Sequence, residues 1–101
     1  MSRATRPRVA RVVVRRRVLV SGRVQGVWFR ETCREQADAA GVSGWVRNRN
    51  DRRVEAVFEG EADAVLAMVT WCRLGPPRAV VTGVEVTDEE PTGESGFRVS
   101  R

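Results

Sequence analysis

The chain has 101 residues, enough for one compact domain with a single hydrophobic core and too few for two. All 18 of its cationic side chains are arginine, which excludes histidine-based triads, histidine metal sites, Schiff-base lysines and the lysine-dependent Walker A loop. Two cysteines are too few for a disulfide-stapled secreted scaffold, and no apolar stretch approaches the roughly 18 residues of a membrane span.

The net charge of +5 is concentrated at the N-terminus. Residues 1–17 hold seven arginines and no acidic residue, whereas the remainder carries 11 arginines against 13 carboxylates. We therefore assign residues 1–11 to a flexible, arginine-rich arm and residues 12–101 to the folded domain. The arm lacks the apolar segment of a secretory signal, although its acid-free start is also typical of mitochondrial transit peptides. We expect a cytoplasmic protein with no membrane partner.

Valine-rich sequence predicts the first strand within residues 12–21. A helix is predicted over residues 31–40, where apolar side chains recur at three- and four-residue spacing and Gly41 can cap the C-terminus. Residues 44–48 and 53–59 flank a short polar turn. The alternation of side chains in the second of these segments predicts a hairpin strand with one buried face.

The second half of the chain continues with a helix over residues 61–74, which has acidic residues in its first turn and a Gly-Pro-Pro stop behind it. A valine-rich strand follows over residues 79–87, and residues 97–99 form a final edge strand. The order βαββαβ with an extra C-terminal strand predicts an α+β, ferredoxin-like two-layer sandwich. Its sheet would be antiparallel, with two helices on one face.

The turn between the first strand and the first helix is the most informative segment. Gly22 and Gly26 allow backbone amides to converge, and the turn leads into a helix N-terminus, where unpaired N–H groups and the helix dipole favour an anion. Arg30 adds a planar, permanently charged fork that suits two phosphate oxygens. On spacing alone, an ordinary strand-to-helix turn with Arg23 as a solvated residue remains open.

Two long segments, in this order, resemble the two signature motifs of the acylphosphatase family. They are G-R-V-Q-G-V-W-F-R at residues 22–30 and G-V-S-G-W-V-R-N at residues 41–48. The resemblance extends from about residue 12 to the C-terminus, so that only the arm lies outside it.

The resemblance implies a cofactor-free and metal-free hydrolase that cleaves the carboxyl–phosphate bond of a small-molecule acyl phosphate, giving a carboxylate and inorganic phosphate. It also implies that Arg30 binds the phosphoryl oxygens and that Asn48 orients the attacking water. The backbone amides of the first motif would cradle the phosphoryl group. The residues of this predicted phosphate-binding loop are Gly22, Arg23, Val24, Gln25, Gly26, Val27, Trp28 and Phe29.

The chemistry of the residues present agrees with this assignment. A carboxylate is a weakly basic leaving group, so its departure needs no general acid, and a loose transition state asks little of a general base. The absence of histidine and lysine is then no obstacle, because fixed amides and an arginine can stabilise charge without a metal. The carboxamide of Asn48 both donates and accepts hydrogen bonds, so it can hold a water in one orientation.

Aromatic side chains also have packing interpretations. Trp28, Trp45 and Trp71 are expected to be core or semi-buried packing residues rather than platforms on which nucleic-acid bases stack. Val27 and Phe29 are expected to anchor the loop by packing.

The two cysteines, Cys33 and Cys72, fall on the two helices that share one sheet face. A disulfide between them is open, and we expect two free, buried thiols.

One position departs from the family pattern. Acylphosphatases usually carry an Asp-Gly turn between the second and third strands, whereas here Asp51 is followed by Arg52. A positive φ at Arg52 would cost roughly 1 kcal/mol relative to glycine, unless Asn50 or Asp51 takes the left-handed conformation instead.

Two other functions share this fold. An RNA-recognition module would need an aromatic-rich third strand, and residues 53–58 offer only Phe58, so we expect no specific nucleic-acid partner. A phosphate-binding module without turnover is the second alternative. A related acylphosphatase-like module opens larger carbamoyl-transfer proteins, which continue far beyond 101 residues. We expect a monomer, although unpaired edge strands leave a dimer open.

Overall fold

The computed structural model describes residues 12–101, and the arm predicted at residues 1–11 lies outside them. The elements in chain order are β1 (Val13–Arg23), α1 (Phe29–Ala40), β2 (Ser43–Asn48), β3 (Val54–Glu61), α2 (Ala62–Leu74), β4 (Val80–Glu89) and β5 (Phe97–Val99). Their order and type are those predicted, with bounds that differ by one or two residues. No helix in this part of the chain is long and apolar enough to cross a membrane.

The five strands form one sheet in the order β4-β1-β3-β2-β5. β1 pairs with β3 and β4, and β2 pairs with β3, all antiparallel, whereas β5 pairs with β2 in parallel. The predicted ferredoxin-like sandwich is confirmed, and the extra strand makes its sheet mixed rather than wholly antiparallel. The chain reverses direction after β4, so β5 runs the same way as β2 at the opposite edge.

Both helices pack on the same face of the sheet. Alternate residues of β1, β2 and β3 point towards them, in agreement with the two-residue period of a strand. The centre of this core is made of Val18, Val20, Val46, Val54, Ala56 and Phe58 from the strands, with Phe29, Cys33, Ala37, Val65, Met68 and Cys72 from the helices. Phe97 stacks on Phe58 with ring centroids 5.7 Å apart, which fixes β5 to the core.

The two cysteines are free and buried, as predicted. Burial raises the pKa of the Cys33 thiol well above its ordinary value, and the neighbouring Cys72 thiol adds to this shift. Cys33 is therefore an unreactive core residue at neutral pH.

The sheet face away from the helices is covered by ion pairs. Glu55 of β3 is fully buried, and its carboxylate is held by Arg17 and by Arg47, whose Nε lies at 2.6 Å. Glu59 is only 5% exposed and pairs with Arg15 at 3.2 Å. The expectation that β3 has one buried face is therefore wrong, because arginine side chains from the neighbouring strands cover the second face.

Glu59 also holds the connection between β4 and β5. Its carboxylate accepts hydrogen bonds from the backbone N–H groups of Thr92 at 2.9 Å, Gly93 at 2.7 Å and Glu94 at 3.0 Å. Burial alone would raise the pKa of Glu59, but these amides and Arg15 outweigh it, and the pKa lies below its ordinary value of 4.5.

A carboxyl group with a lowered pKa stabilises the folded state above its unfolded pKa and loses that contribution as the pH falls through its folded pKa. We therefore expect the free energy of unfolding to decrease below about pH 4.5, and Glu59→Gln to remove part of that decrease. Urea unfolding between pH 7 and pH 3 measures this. Glu90→Gln, at an exposed carboxyl in the same connection, is the matched control, and an equal pH dependence in wild type and Glu59→Gln contradicts the prediction.

In the turn between β2 and β3, Arg52 stands where the family usually has glycine, and it takes the left-handed conformation itself. Arg52 itself has φ of 72°, and Asn50 and Asp51 do not take the left-handed conformation. The Asp51 carboxylate instead accepts bonds from the Arg53 backbone N–H at 3.2 Å and its guanidinium at 2.8 Å. The strained conformation thus falls on the residue where the family usually has glycine.

Replacing Arg52 by glycine is expected to raise the free energy of unfolding by about 1 kcal/mol, because glycine adopts this φ without steric cost. Asn50→Gly, two residues earlier at a position without positive φ, is expected to lower it through added entropy of the unfolded chain. Urea denaturation of both variants measures the two effects. A loss of stability in Arg52→Gly contradicts the prediction.

Candidate active site

The loop between β1 and α1 is shorter than the sequence indicates. β1 continues through Gly22 and Arg23, which pair with β4 after a bulge at Ser21, so the loop itself comprises residues 24–28. The prediction that both residues belong to the loop is wrong. Pairing with β4 holds them in the sheet although the valine-rich pattern ends before them.

The two glycines of the first motif serve different purposes. A Cβ on Gly22 would lie 2.1 Å from the carbonyl oxygen of Val80, so glycine is needed there for close packing of β1 against β4. Gly26 has φ of 73° and would meet nothing within 4 Å. Glycine is therefore needed at Gly26 for its backbone conformation, and the space beside it is open to a ligand.

The N-terminus of α1 lacks a side-chain cap. Trp28, at the N-cap position, has φ of 66° and ψ of 21°, and its side chain cannot accept a bond from the first turn. The first helical bond runs from the Thr32 N–H to the Trp28 carbonyl at 3.0 Å. The earlier N–H groups of the helix, at residues 29–31, are therefore available to an anion, which the helix dipole also favours.

A cavity of about 590 Å³ opens at this helix end and brings the two motifs together. Arg30, in the first turn of α1, and Asn48, the last residue of β2, both line it. The loop and first turn also contribute Val24, Gly26, Trp28, Phe29 and Glu31 to the lining.

Asn48 presents an unpaired atom in this region. Its Oδ1 is buried and accepts no hydrogen bond from residues 12–101. A buried acceptor left without a donor costs on the order of 1–3 kcal/mol, and such groups are rare in native proteins. The carboxamide of Asn48 is therefore placed to accept a hydrogen bond from a molecule in the cavity.

Arg30 is likewise uncommitted. Its guanidinium has no ion-pair or hydrogen-bond partner within residues 12–101. By contrast, Arg15 and Arg47, on the sheet face away from the helices, are paired with carboxylates. Glu31, the acidic residue of the lining, lies 3.5 Å from the Arg34 guanidinium, which offsets its charge. The cavity therefore keeps a free guanidinium for an anion.

Gln25 links the two motifs, a role that its sequence context does not reveal. Its side-chain amide donates hydrogen bonds to the backbone carbonyls of Arg49 at 2.8 Å and Arg53 at 2.9 Å. These bonds attach the loop to the turn between β2 and β3, directly after Asn48.

Val99 and Arg101 also line the cavity, and neither could be predicted as a site residue from the sequence. The parallel pairing of β5 with β2, continued by the bond from the Ser100 N–H to the Val46 carbonyl at 2.8 Å, brings them there. The edge strand at residues 97–99 can be predicted from the sequence, but the strand with which it pairs cannot.

Trp28 corrects one expectation, since it is 71% exposed rather than packed in the core. As predicted, Trp71 packs against the core, 5.1 Å from the Phe29 ring, and Trp45 is half-buried. Val27 and Phe29 are buried at 3% and 2% exposure, so both anchor the loop as predicted.

The predicted loop residues thus separate into three groups. Val24, Gly26, Trp28 and Phe29 line the cavity with Arg30 and Asn48, and Val27 lies in the core. Gly22, Arg23 and Gln25 line a different cavity, which they share with Val24. Within residues 12–101, no cluster of three or more histidine, cysteine, aspartate or glutamate side chains is placed to hold a metal ion.

The fold and this cavity define a small ferredoxin-like protein in which an uncapped helix N-terminus, Arg30 and Asn48 meet at one cavity. Comparison with known proteins gives the family. The family model described as Acylphosphatase matches residues 16–99. The acylphosphatase of Rubrobacter xylanophilus is 62% identical over 91 residues, which cover 89% of this chain and 83% of that relative.

Solved structures agree with the sequence comparison. An acylphosphatase from Coxiella burnetii superimposes with a TM-score of 0.84 and 39% identity, covering 87% of this chain and 93% of that chain. The acylphosphatase from Bacillus subtilis gives a TM-score of 0.84 and 37% identity, covering 87% and 99%. The chain belongs to the acylphosphatase family and is an enzyme of that family, as its two motifs predict.

Proposed function

We propose that this enzyme hydrolyses acyl phosphates to a carboxylate and inorganic phosphate without a metal or other cofactor. The observation that carries this proposal is the meeting of Arg30, the unpaired Oδ1 of Asn48 and the uncapped N-terminus of α1 at one cavity. Membership of the acylphosphatase family supports the reaction class.

The phosphoryl group binds between the loop and Arg30. The free N–H groups at the start of α1 and the guanidinium of Arg30 donate to the phosphoryl oxygens that gain charge in the transition state. The open side of Gly26 lets these oxygens approach the backbone closely. Because these donors are fixed before the substrate arrives, they need little rearrangement during the reaction.

Asn48 positions the water. Its Oδ1 accepts a hydrogen bond from the water, whose oxygen attacks phosphorus as the bond between phosphorus and the carboxyl oxygen breaks. The bonding electrons leave with the carboxylate, and the proton from the water passes to the phosphate product or to solvent. A neutral carboxamide suits this role because it adds no negative charge beside the phosphate.

Phosphate release from benzoyl phosphate in the presence of excess chelator tests the proposal. We expect rapid, enzyme-dependent release at a rate that the chelator does not change. Release no faster than the buffer blank contradicts the hydrolase and leaves a binding module without turnover. Activity that chelator abolishes and added divalent cation restores contradicts the metal-free mechanism alone.

The nucleic-acid alternative has no support from the sheet. Phe58, the aromatic residue of β3, lies in the core beneath the helices. On the opposite face, β3 presents Glu55 and Glu59, both paired with arginines. The aromatic side chain on this face is Trp45 of β2, which is half-buried with the Arg47 guanidinium 5.8 Å from its ring, and β3 itself presents none there. The arginines beside it, Arg15, Arg17 and Arg47, are paired with carboxylates.

A further inference from the structure

A second cavity, of about 500 Å³, shares only Val24 with the lining of the candidate active site. It lies between the end of β1 and the turn that joins β2 to β3, and three of its lining residues are Arg23, Arg49 and Arg52. None of the described residues that line it is acidic. Its walls therefore present a concentration of positive charge that the proposed reaction does not use.

Two of these arginines are uncommitted within residues 12–101. Arg23 and Arg52 are exposed, and their guanidinium groups have neither an ion pair nor a hydrogen bond to a described residue. Arg49 binds Asp51 through Nε at 3.1 Å and approaches Glu55 through Nη1 at 3.6 Å. A guanidinium has five N–H donors, so Arg49 still has its Nη2 group to offer.

The backbone of Arg52 gives an independent reason to look for a ligand. Its φ of 72° is a conformation that glycine adopts freely and that costs a larger residue energy. Residues held in such a conformation by the surrounding structure cluster at active sites and ligand-binding segments. Here the strain places a free guanidinium at the cavity rim.

The neighbouring carboxylate does not neutralise the cavity. Asp51 is engaged by Arg53 at 2.8 Å and by Arg49, and the bond to Arg53 leads the causes that lower its pKa to about 2. Asp51 stays ionised at neutral pH, and Glu85 lies 3.1 Å from the Arg53 guanidinium, so these two carboxylates balance Arg49 and Arg53. Arg23 and Arg52 remain in excess. The group as a whole is cationic.

The cavity is also held in shape. The Gln25 side chain, part of its lining, bonds the carbonyls of Arg49 at 2.8 Å and Arg53 at 2.9 Å. The turn that carries Arg49 and Arg52 is thereby fixed against the segment that carries Arg23. Because these segments are already held in place, less conformational entropy is lost when an anion binds.

We infer that Arg23, Arg49 and Arg52 form a second anion site, which takes a phosphate dianion in addition to the one proposed for the active site. Arginine forks match phosphate oxygens in charge and geometry. Two sources supply this chemistry: free inorganic phosphate, and a phosphate carried on the acyl part of a substrate. The inference extends beyond the proposed hydrolysis and does not depend on it.

Titration of the ¹⁵N-labelled full chain with inorganic phosphate, followed by amide chemical shifts, tests the inference without requiring activity. We expect two groups of amides that saturate independently, one at residues 26–31 and one at residues 22–23 together with 49–53. Arg52→Gly should raise the dissociation constant of the second group about tenfold, and Arg52→Lys, which keeps the charge and loses the fork, should raise it by less. Arg78→Gln, which removes another exposed arginine, is the control for net charge and should change neither group.

Absence of saturation in the second group, or an equal dissociation constant in wild type and Arg52→Gly, overturns the inference. The ratio of kcat/KM for an acyl phosphate with a second, terminal phosphate to that for acetyl phosphate distinguishes the source. If Arg52→Gly weakens phosphate binding and lowers this ratio, the substrate's own phosphate occupies the site. If it weakens binding and leaves the ratio unchanged, free phosphate does.

Discussion

Replacing Arg30 by lysine is expected to lower kcat/KM for benzoyl phosphate by about 10²–10³-fold, the usual effect of removing one preorganised donor from a site of developing charge. Lysine keeps the positive charge, but it cannot present two parallel N–H groups to two phosphoryl oxygens. Arg30 has no partner within residues 12–101 that would hold a replacement ammonium in position. A large loss therefore reports on the geometry of the donor rather than on charge alone.

Initial rates of phosphate release, with chelator present, measure this effect. Arg73→Lys, the same change on α2 outside the cavity lining, is the matched control and should retain wild-type rates. Urea unfolding of both variants shows whether they fold equally well. If Arg30→Lys keeps more than about a third of the wild-type kcat/KM, the assigned role of Arg30 is incorrect.

Replacing Asn48 by alanine is expected to lower kcat by about 10²–10³-fold while leaving inhibition by inorganic phosphate nearly unchanged. The reason is that the proposed role of Asn48 concerns the water, whereas the loop amides and Arg30 bind the phosphoryl group. The variant should unfold at the same or a higher urea concentration than wild type, because it removes a buried oxygen that has no donor within residues 12–101. Lost activity without lost stability separates a role in water positioning from a role in folding.

Steady-state rates, phosphate inhibition constants and urea midpoints together test this prediction. Asn50→Ala, at an exposed asparagine two residues further along, is the control and should behave as wild type in turnover. Weaker phosphate inhibition together with higher KM would instead assign Asn48 to phosphoryl binding. An unchanged kcat would remove Asn48 from the mechanism.

Most of the fold follows from local sequence patterns. The two helices have apolar residues at helical spacing, and β3 has a two-residue alternation, so their types and order could be predicted. Which strands lie next to each other in the sheet, and which side chains pack on each face, could not be predicted. The burial of Glu55 depends on Arg17 and Arg47, which come from two other strands, and no local pattern indicates such long-range pairing.

The candidate site was predictable to a similar extent. Arg30 and Asn48 close two recognisable motifs, and the structure brings both to one cavity. The exposure of Trp28 and the wall formed by Val99 and Arg101 depend on how the loop turns and on which strand β5 joins. Both depend on how the sheet is assembled, so they cannot be predicted from the spacing of residues in the sequence.

The side chain of Gln25 has a consequence for how the two segments that carry the proposed catalytic residues are held together. Its two hydrogen bonds, at 2.8 and 2.9 Å, join the loop of the first motif to the hairpin end of the second, immediately beyond Asn48. One amide, which does not line the candidate active site, therefore helps the sheet to hold the proposed phosphate-binding loop and Asn48 at a fixed spacing. A substitution that lengthens or removes these two hydrogen bonds would therefore change turnover although Gln25 does not line the cavity.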